Sequence, residues 1–244
     1  MHISIDLNCD LGEGAGGDAA LMPLITSANI ACGAHAGDAA TMRATVALAR
    51  AHGVAVGAHP GFADRANFGR VEQTLTACAL YDLVTGQIEA LRELGPVRHV
   101  KPHGALYNMA ARDRAVAEVI AEAVYACDPS LILFGLAGSE LVRAGQARGL
   151  RVANEVFADR TYQAAGSLTP RARSDALITD EAAAVAQVIR MVRDGVVRAT
   201  DGTSVAVVAD TVCLHGDGVH AVAFARRLGG ELRAAGIALR QWGV

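Results

Sequence analysis

Ile3-Ser4-Ile5-Asp6-Leu7-Asn8-Cys9-Asp10 is the stretch on which the fold turns. It reads as a strand from Ile3 to Cys9, and Asp6, Asn8 and Asp10 recur at every second position, so the three share one face. With Glu13 just beyond, acidic groups held this close on an inward face must be paired, protonated or bound to a cation. The same placement recurs along the chain. Asn29 and His35, His59, Lys101 and His103, Glu155 and Asp159, and His215 and Asp217 all fall at or just past the C-terminal end of an apolar run. A closed parallel barrel gathers such ends around one mouth, whereas an open doubly wound sheet, the runner-up, spreads them along a line.

Outward from that strand, β-rich runs alternate with alanine-rich stretches of helical period, the pattern of parallel strands with crossover helices. Strands are predicted at Ile3 to Cys9, Ser27 to Cys32, Val54 to Ala58, Val97 to Lys101, Leu131 to Leu136, Arg151 to Phe157 and Ser204 to Leu214, the last split around Asp210. Helices are predicted at Ala39 to His52, Thr76 to Leu94, Arg112 to Cys127, Ser139 to Arg148, Thr179 to Asp194 and Val219 to Ala235. Gly53, Gly95, Gly149 and Gly236 follow four of them, as helix-terminating glycines do. Seven units without a break in composition predict an α/β fold, a seven-stranded (βα) barrel forming one domain over residues 1–244.

Composition removes several function classes. A net charge of -3 with arginines scattered singly offers no basic stripe for nucleic acid. No apolar run approaches the roughly 18 residues of a spanning helix, and the start reads as a strand rather than a signal peptide, so no membrane association is expected. Five cysteines without a C-x-x-C pair indicate neither a disulfide framework nor a thiolate zinc site, which points to the cytoplasm.

One lysine stands among 22 basic residues, in Val100-Lys101-Pro102-His103-Gly104-Ala105-Leu106-Tyr107-Asn108. A chain that uses arginine everywhere else keeps a lysine where a compact, deprotonatable ammonium is needed. Lys101 is therefore the first candidate for chemistry, and its replacement by arginine or methionine is expected to leave the fold intact. His35, His59, His103 and His215 each follow a strand beside glycine or proline; His2, His52, His99 and His220 read as structural or solvated. A divalent metal held by Asp10, His35 and His59 is open on these residue types, although no H-x-x-x-H spacing marks it. Gly12-Glu13-Gly14-Ala15-Gly16-Gly17 formally matches a dinucleotide fingerprint, but its carboxylates and short crossover speak against it, and no Walker A loop occurs. The charged segment Glu155 to Tyr162 and the loop Gly166-Ser167-Leu168-Thr169-Pro170-Arg171 exceed an ordinary connection, with Arg160 or Arg171 suited to clamp a carboxylate or phosphate.

Together these segments resemble the LamB/YcsF family: Asp6 to Glu13, Asn29 to Gly33 with His35 to Asp38, Gly57 to Gly61, Phe68-Gly69-Arg70, Lys101 to Asn108, Glu155 to Arg160 and His215-Gly216-Asp217. Ala15, Ala34, Val71 and Ala165 depart from the pattern the resemblance suggests, which bears on pocket shape. The resemblance implies a barrel similar to the glycoside hydrolase/deacetylase superfamily. It further implies hydrolytic opening of 5-oxo-L-proline to L-glutamate, coupled to ATP hydrolysis and performed with two partner subunits, PxpB and PxpC. Against that chemistry, Asp10 with His59 or His103 is expected to activate water, Lys101 to stabilise developing charge, and Glu13 or Glu155 to protonate the departing nitrogen. Asp6, Asn8, Asn29, His35, Tyr107, Glu155, Arg160, His215 and Asp217 are expected to bind substrate. The competing readings are a stand-alone metal-dependent deacetylase or amidohydrolase, and a non-catalytic substrate-binding subunit.

Overall fold

The strand that opens the chain is longer than its apolar run suggests, and its alternation sets the architecture. A computed structural model describes residues 3–214 and 221–244. In it β1 (Ile3–Leu11) turns Ile5, Leu7, Cys9 and Leu11 to the buried apolar core, leaving Asp6, Asn8 and Asp10 on its other face. The following barrel strands are β2 (Ser27–Ala31), β3 (Ala55–His59), β4 (His99–Val100), β5 (Ile132–Leu136) and β6 (Arg151–Phe157). The hairpin β7 (Val196–Arg198) and β8 (Ser204–Ala206) stands apart as a two-stranded antiparallel sheet. Next comes β9 (Thr211–Leu214), which pairs with both β6 and β1 and closes seven parallel strands into a barrel. A last strand, β10 (Ile237–Leu239), adds to the free start of β1.

The predicted run from Ser204 to Leu214 thus divides before Asp210, and only its second half joins the barrel. The predicted Val97 to Lys101 strand is trimmed to two residues, although Lys101 N still donates to Ala58 O at 2.9 Å before Pro102 ends the ladder. Helices α1 (Asp18–Leu21), α2 (Ala39–Ala51), α3 (Ala77–Arg92), α4 (Gly104–Arg112), α5 (Arg114–Cys127), α6 (Glu140–Arg148), α7 (Glu181–Asp194) and α8 (Ala221–Ala234) surround it. Two predicted first residues, Thr76 and Ser139, are instead caps, and like Asp38 before α2 they accept from the backbone N–H three positions on. The sequence reading missed α4, because Pro102-His103-Gly104 reads as a turn. Gly104 makes the join, with φ at 53° in a place where a Cβ would meet Gly69 O at 2.7 Å.

Apolar side chains fill the space between barrel and helices, while the upper barrel interior is polar. Register aligns Asp6 with Thr211, Asp10 with Asn29, Asn29 with Gly57 and Gly57 with His99, so all face inward together. His99 stacks on Phe134 with ring centroids 4.3 Å apart. At the opposite end from the mouth, Trp242 packs against Ile132, Phe134 and Ala153, and Arg98 and Arg151 both donate to Gly243 O at 3.0 Å.

Candidate active site

Lys101 directly follows β4 and is 2% exposed. Its Nζ lies 2.9 Å from Asp10 Oδ1 and 2.8 Å from Glu155 Oε1, and it donates to Asn8 Oδ1 at 3.2 Å and Cys213 Sγ at 3.0 Å. Burial opposes the ammonium charge, but Asp10, then Cys213 and Glu155, outweigh it and hold the group well above the ordinary lysine range. Glu155 is fully buried and also accepts from Asn8 Nδ2 at 3.0 Å and Tyr107 OH at 2.6 Å. Deeper still, Asp6 accepts from the hydroxyls of Thr26, Ser27 and Thr211, and Thr211 receives the second proton of the Asn8 amide. Asn29 bridges Asn8 Oδ1 and Asp10 Oδ1 through its amide, while its own oxygen accepts from His99 Nε2 at 2.8 Å. The result is a satisfied polar column whose top presents one ammonium and the Asp10 carboxylate.

Beside this column sits a histidine cluster. His59 Nδ1 donates to Lys101 O at 2.7 Å and His103 Nε2 to Phe68 O at 2.9 Å, so both rings are oriented by carbonyls. Asp10 Oδ2 lies 3.5 Å from His59 Nε2, and Glu13 Oε1 lies 3.5 Å from His103 Nδ1 and 3.5 Å from His35 Nε2. Burial pushes His35 down to about 3 and His103 down to about 2. At His59 burial acts the same way, but Asp10 overrides it and the ring is raised. The donor atoms of Glu13, His35, His59 and His103 lie within 4.8 Å of one another, a set of the composition that holds a divalent ion. His35 and His103, however, stack in parallel, 2° apart in plane and 3.8 Å between centroids. Two parallel rings cannot both aim in-plane lone pairs at one ion, so three of the four donors fit it as the rings stand. Asp10, expected among the ligands, is committed through Oδ1 to Lys101, while Glu13 and His103 complete the donor set instead.

A cavity of about 600 Å³ opens above these groups. Of the predicted site residues, Asp10, Glu13, His59, Lys101, His103, Tyr107 and Arg160 line it. Asp6, Asn8, Asn29 and Glu155 do not; they lie beneath, where their hydrogen bonds are already made, so they shape the floor rather than contact its contents. His35 lies behind His103. His215 and Asp217, with His2 and His220, lie outside the described residues. The cavity wall also includes the loop after β6, with Ser167, Thr169 and Arg171, and Arg70 and Arg112. Arg70 belongs to the Phe68-Gly69-Arg70 segment of the family resemblance, whereas Arg112 carried no signal in the sequence beyond its charge. Cys213, which no sequence motif singles out, touches the lysine; nothing in an apolar strand distinguishes such a cysteine.

A family model described as the LamB/YcsF family matches residues 5–243. The chain is 58% identical over 246 residues to a protein of Geobacillus thermodenitrificans named as the A subunit of 5-oxoprolinase, covering 97% of this chain and 96% of that one. Among solved structures it resembles a lactam utilization protein from Thermus thermophilus, at 45% identity and a TM-score of 0.91, covering 98% of this chain and 99% of that one. The peptidoglycan deacetylase PdaC of Bacillus subtilis, at 11% identity and a TM-score of 0.51 over 98% of this chain and 87% of that one, shares the fold.

Proposed function

The chain belongs to the LamB/YcsF family, and on that premise we propose that it is the A subunit of an ATP-dependent 5-oxoprolinase, opening 5-oxo-L-proline to L-glutamate with PxpB and PxpC. The observation that carries the reading is the buried Lys101–Asp10 pair at the floor of a cavity, in a chain whose relatives at 54% to 58% identity bear that enzyme's name. No helix among the described residues is long and apolar enough to cross a membrane, and the cytoplasm is the proposed compartment.

A five-membered lactam is a resonance-stabilised amide. ATP is proposed to convert its oxygen into a phosphorylated leaving group, and because this chain has no Walker A loop that step is assigned to the partners. The residues of this chain then act on the activated carbon. Lys101 donates to the oxygen as charge gathers there, in a site where little water screens it. Asp10, its Oδ1 held by Lys101 and its Oδ2 beside His59, takes the proton from water as the new C–O bond forms. When the C–N bond breaks, the ring nitrogen receives a proton from Glu13, since Glu155 is sealed below the floor, and the acyl phosphate so formed takes up a second water to release L-glutamate and inorganic phosphate. A divalent ion on Glu13, His59 and His103 would supply Lewis-acid polarisation of the lactam oxygen.

The test is glutamate release from 5-oxo-L-proline and ATP, measured with the chain alone and with both partners. Turnover is expected only with the partners. Robust ATP-dependent turnover by the single chain overturns the division of labour, and none in the full assembly overturns the function.

A further inference from the structure

The cavity is far roomier than its reacting floor. Part of its wall contains an unsatisfied group: Thr169 is fully buried, lines the cavity, and its Oγ1 has no hydrogen-bond partner among the described residues. Leaving a buried hydroxyl unpaired is unfavourable, which marks it as awaiting an acceptor or donor from a ligand. Beside it, Arg160 is 4% exposed and held rigidly, donating through Nη2 to Thr169 O at 2.6 Å and through Nε to Ala176 O at 3.4 Å. Burial, and after it the charge of Arg171, pushes the Arg160 guanidinium down to about 10. Asp159 offsets part of this, and an anion between two neighbouring guanidinium groups on a cavity wall, one of them buried, stabilises both further.

The floor has the opposite character. Asp10 and Glu155 flank Lys101, and Glu13 lines the same cavity among the histidines, so an anionic substituent is repelled there and drawn to the arginine wall. A lactam with a carboxyl group on the carbon flanking its nitrogen has two such ends, a reacting amide and a fixed charge. We propose that Arg160, Thr169 and Arg171 form an oxyanion subsite that takes this carboxylate, while the amide faces Lys101 and Asp10. This rests on the function proposed above and adds to it the basis of selection for an acidic lactam over a neutral one.

Thr169→Val separates the possibilities in the reconstituted assembly. Removing an unpartnered hydroxyl leaves the melting temperature equal or higher, whereas a hydroxyl with a structural partner lowers it. KM for 5-oxo-L-proline is expected to rise at least about tenfold with kcat retained, the loss of one hydrogen bond to a charged group. Inhibition by 2-pyrrolidinone, which lacks the carboxylate, is expected to stay the same. Arg171→Gln, at an exposed position, provides the second variant and is expected to raise KM in the same selective way. Unchanged KM in both variants overturns the subsite, as does equal weakening of both lactams. Loss of competitive inhibition by inorganic phosphate with KM intact assigns the wall to a phosphoryl group instead and also overturns it. Wild-type subunits that make no glutamate at all fail the function itself, before any variant is compared.

Discussion

His103 Nδ1 lies 2.9 Å from His59 Nε2, and the far nitrogen of each ring donates to a carbonyl. A neutral imidazole has one N–H, so two neutral rings so anchored would face each other with bare lone pairs. A cation must lie between them. With Asp10 and Glu13 alongside, the site favours the charged form of His59 over that of His103.

The metal-free protein is therefore expected to carry His59 as imidazolium at neutral pH, with His103 neutral. Nitrogen-15 NMR of the histidine side chains after chelation reads this directly. A neutral His59 at pH 7 in that sample contradicts the assignment, and stoichiometric metal retained through purification identifies the cation as an ion rather than a proton.

The histidines also give stability a characteristic pH profile. His35 and His99, each held down to about 3, and His103, held down to about 2, stay neutral in the fold but protonate near 6.5 when unfolded. Acidification from 6.5 toward 3 therefore destabilises, by up to about 1.4 kcal/mol per pH unit for each ring. Asp6, raised by burial, offsets part of this, since its contribution is full below its ordinary value of 3.8 and fades as pH rises through its folded one. His59, raised, contributes stability that is fully present below 6.5 and lost as pH rises through its folded value. Melting temperatures of metal-free protein across pH 4 to 9 are expected to peak near the ordinary histidine range; a flat acid limb would contradict this.

Lys101→Arg and Lys101→Met probe the floor. The sequence suggested that both would fold normally, and the structure corrects this for methionine: Lys101 neutralises Glu155, which is fully buried, and Asp10. Removing it strands those carboxylates and is expected to lower stability by about 3–5 kcal/mol. Arginine keeps the charge, but Asn8, Cys213 and the two acids enclose a point donor, so activity in the assembly is expected to fall at least about a hundredfold. Wild-type rates for the arginine variant would remove Lys101 from the reaction.

Tyr107→Phe deletes the hydroxyl that donates to Glu155 Oε2 at 2.6 Å and leaves the ring in place. Stability is expected to drop by about 1–3 kcal/mol in urea melts, the range for losing a hydrogen bond to a buried charge. An unchanged midpoint would show that Glu155 finds another donor.

Gly57→Ala tests the barrel interior. A Cβ there would stand 2.0 Å from His99 Nε2, in a ring fixed by Asn29 and stacked on Phe134. Overpacking is expected to destabilise by about 1–3 kcal/mol, seen as a lower melting temperature.

Periodicity and the position of polar residues were enough to place seven parallel strands and to put Asp10, His59, Lys101 and His103 at one mouth, because strand alternation and βα order follow from local sequence. Helix α4 escaped that reading, since a Pro-His-Gly turn and a helix start share the same residues and only the approach of Gly69 decides between them.

By itself, then, the sequence determined the family, the barrel and which residue types converge. Which of those residues meet the cavity was decided by tertiary structure alone. Asp6, Asn8, Asn29 and Glu155 have the same spacing signals as Asp10, yet depth along the barrel axis buries them, and depth depends on register between strands distant in the chain. Likewise Cys213 and Thr169 become notable only through neighbours 112 residues away, or through the lack of any described partner. Burial and pairing are properties of the closed barrel, so no local pattern encodes them.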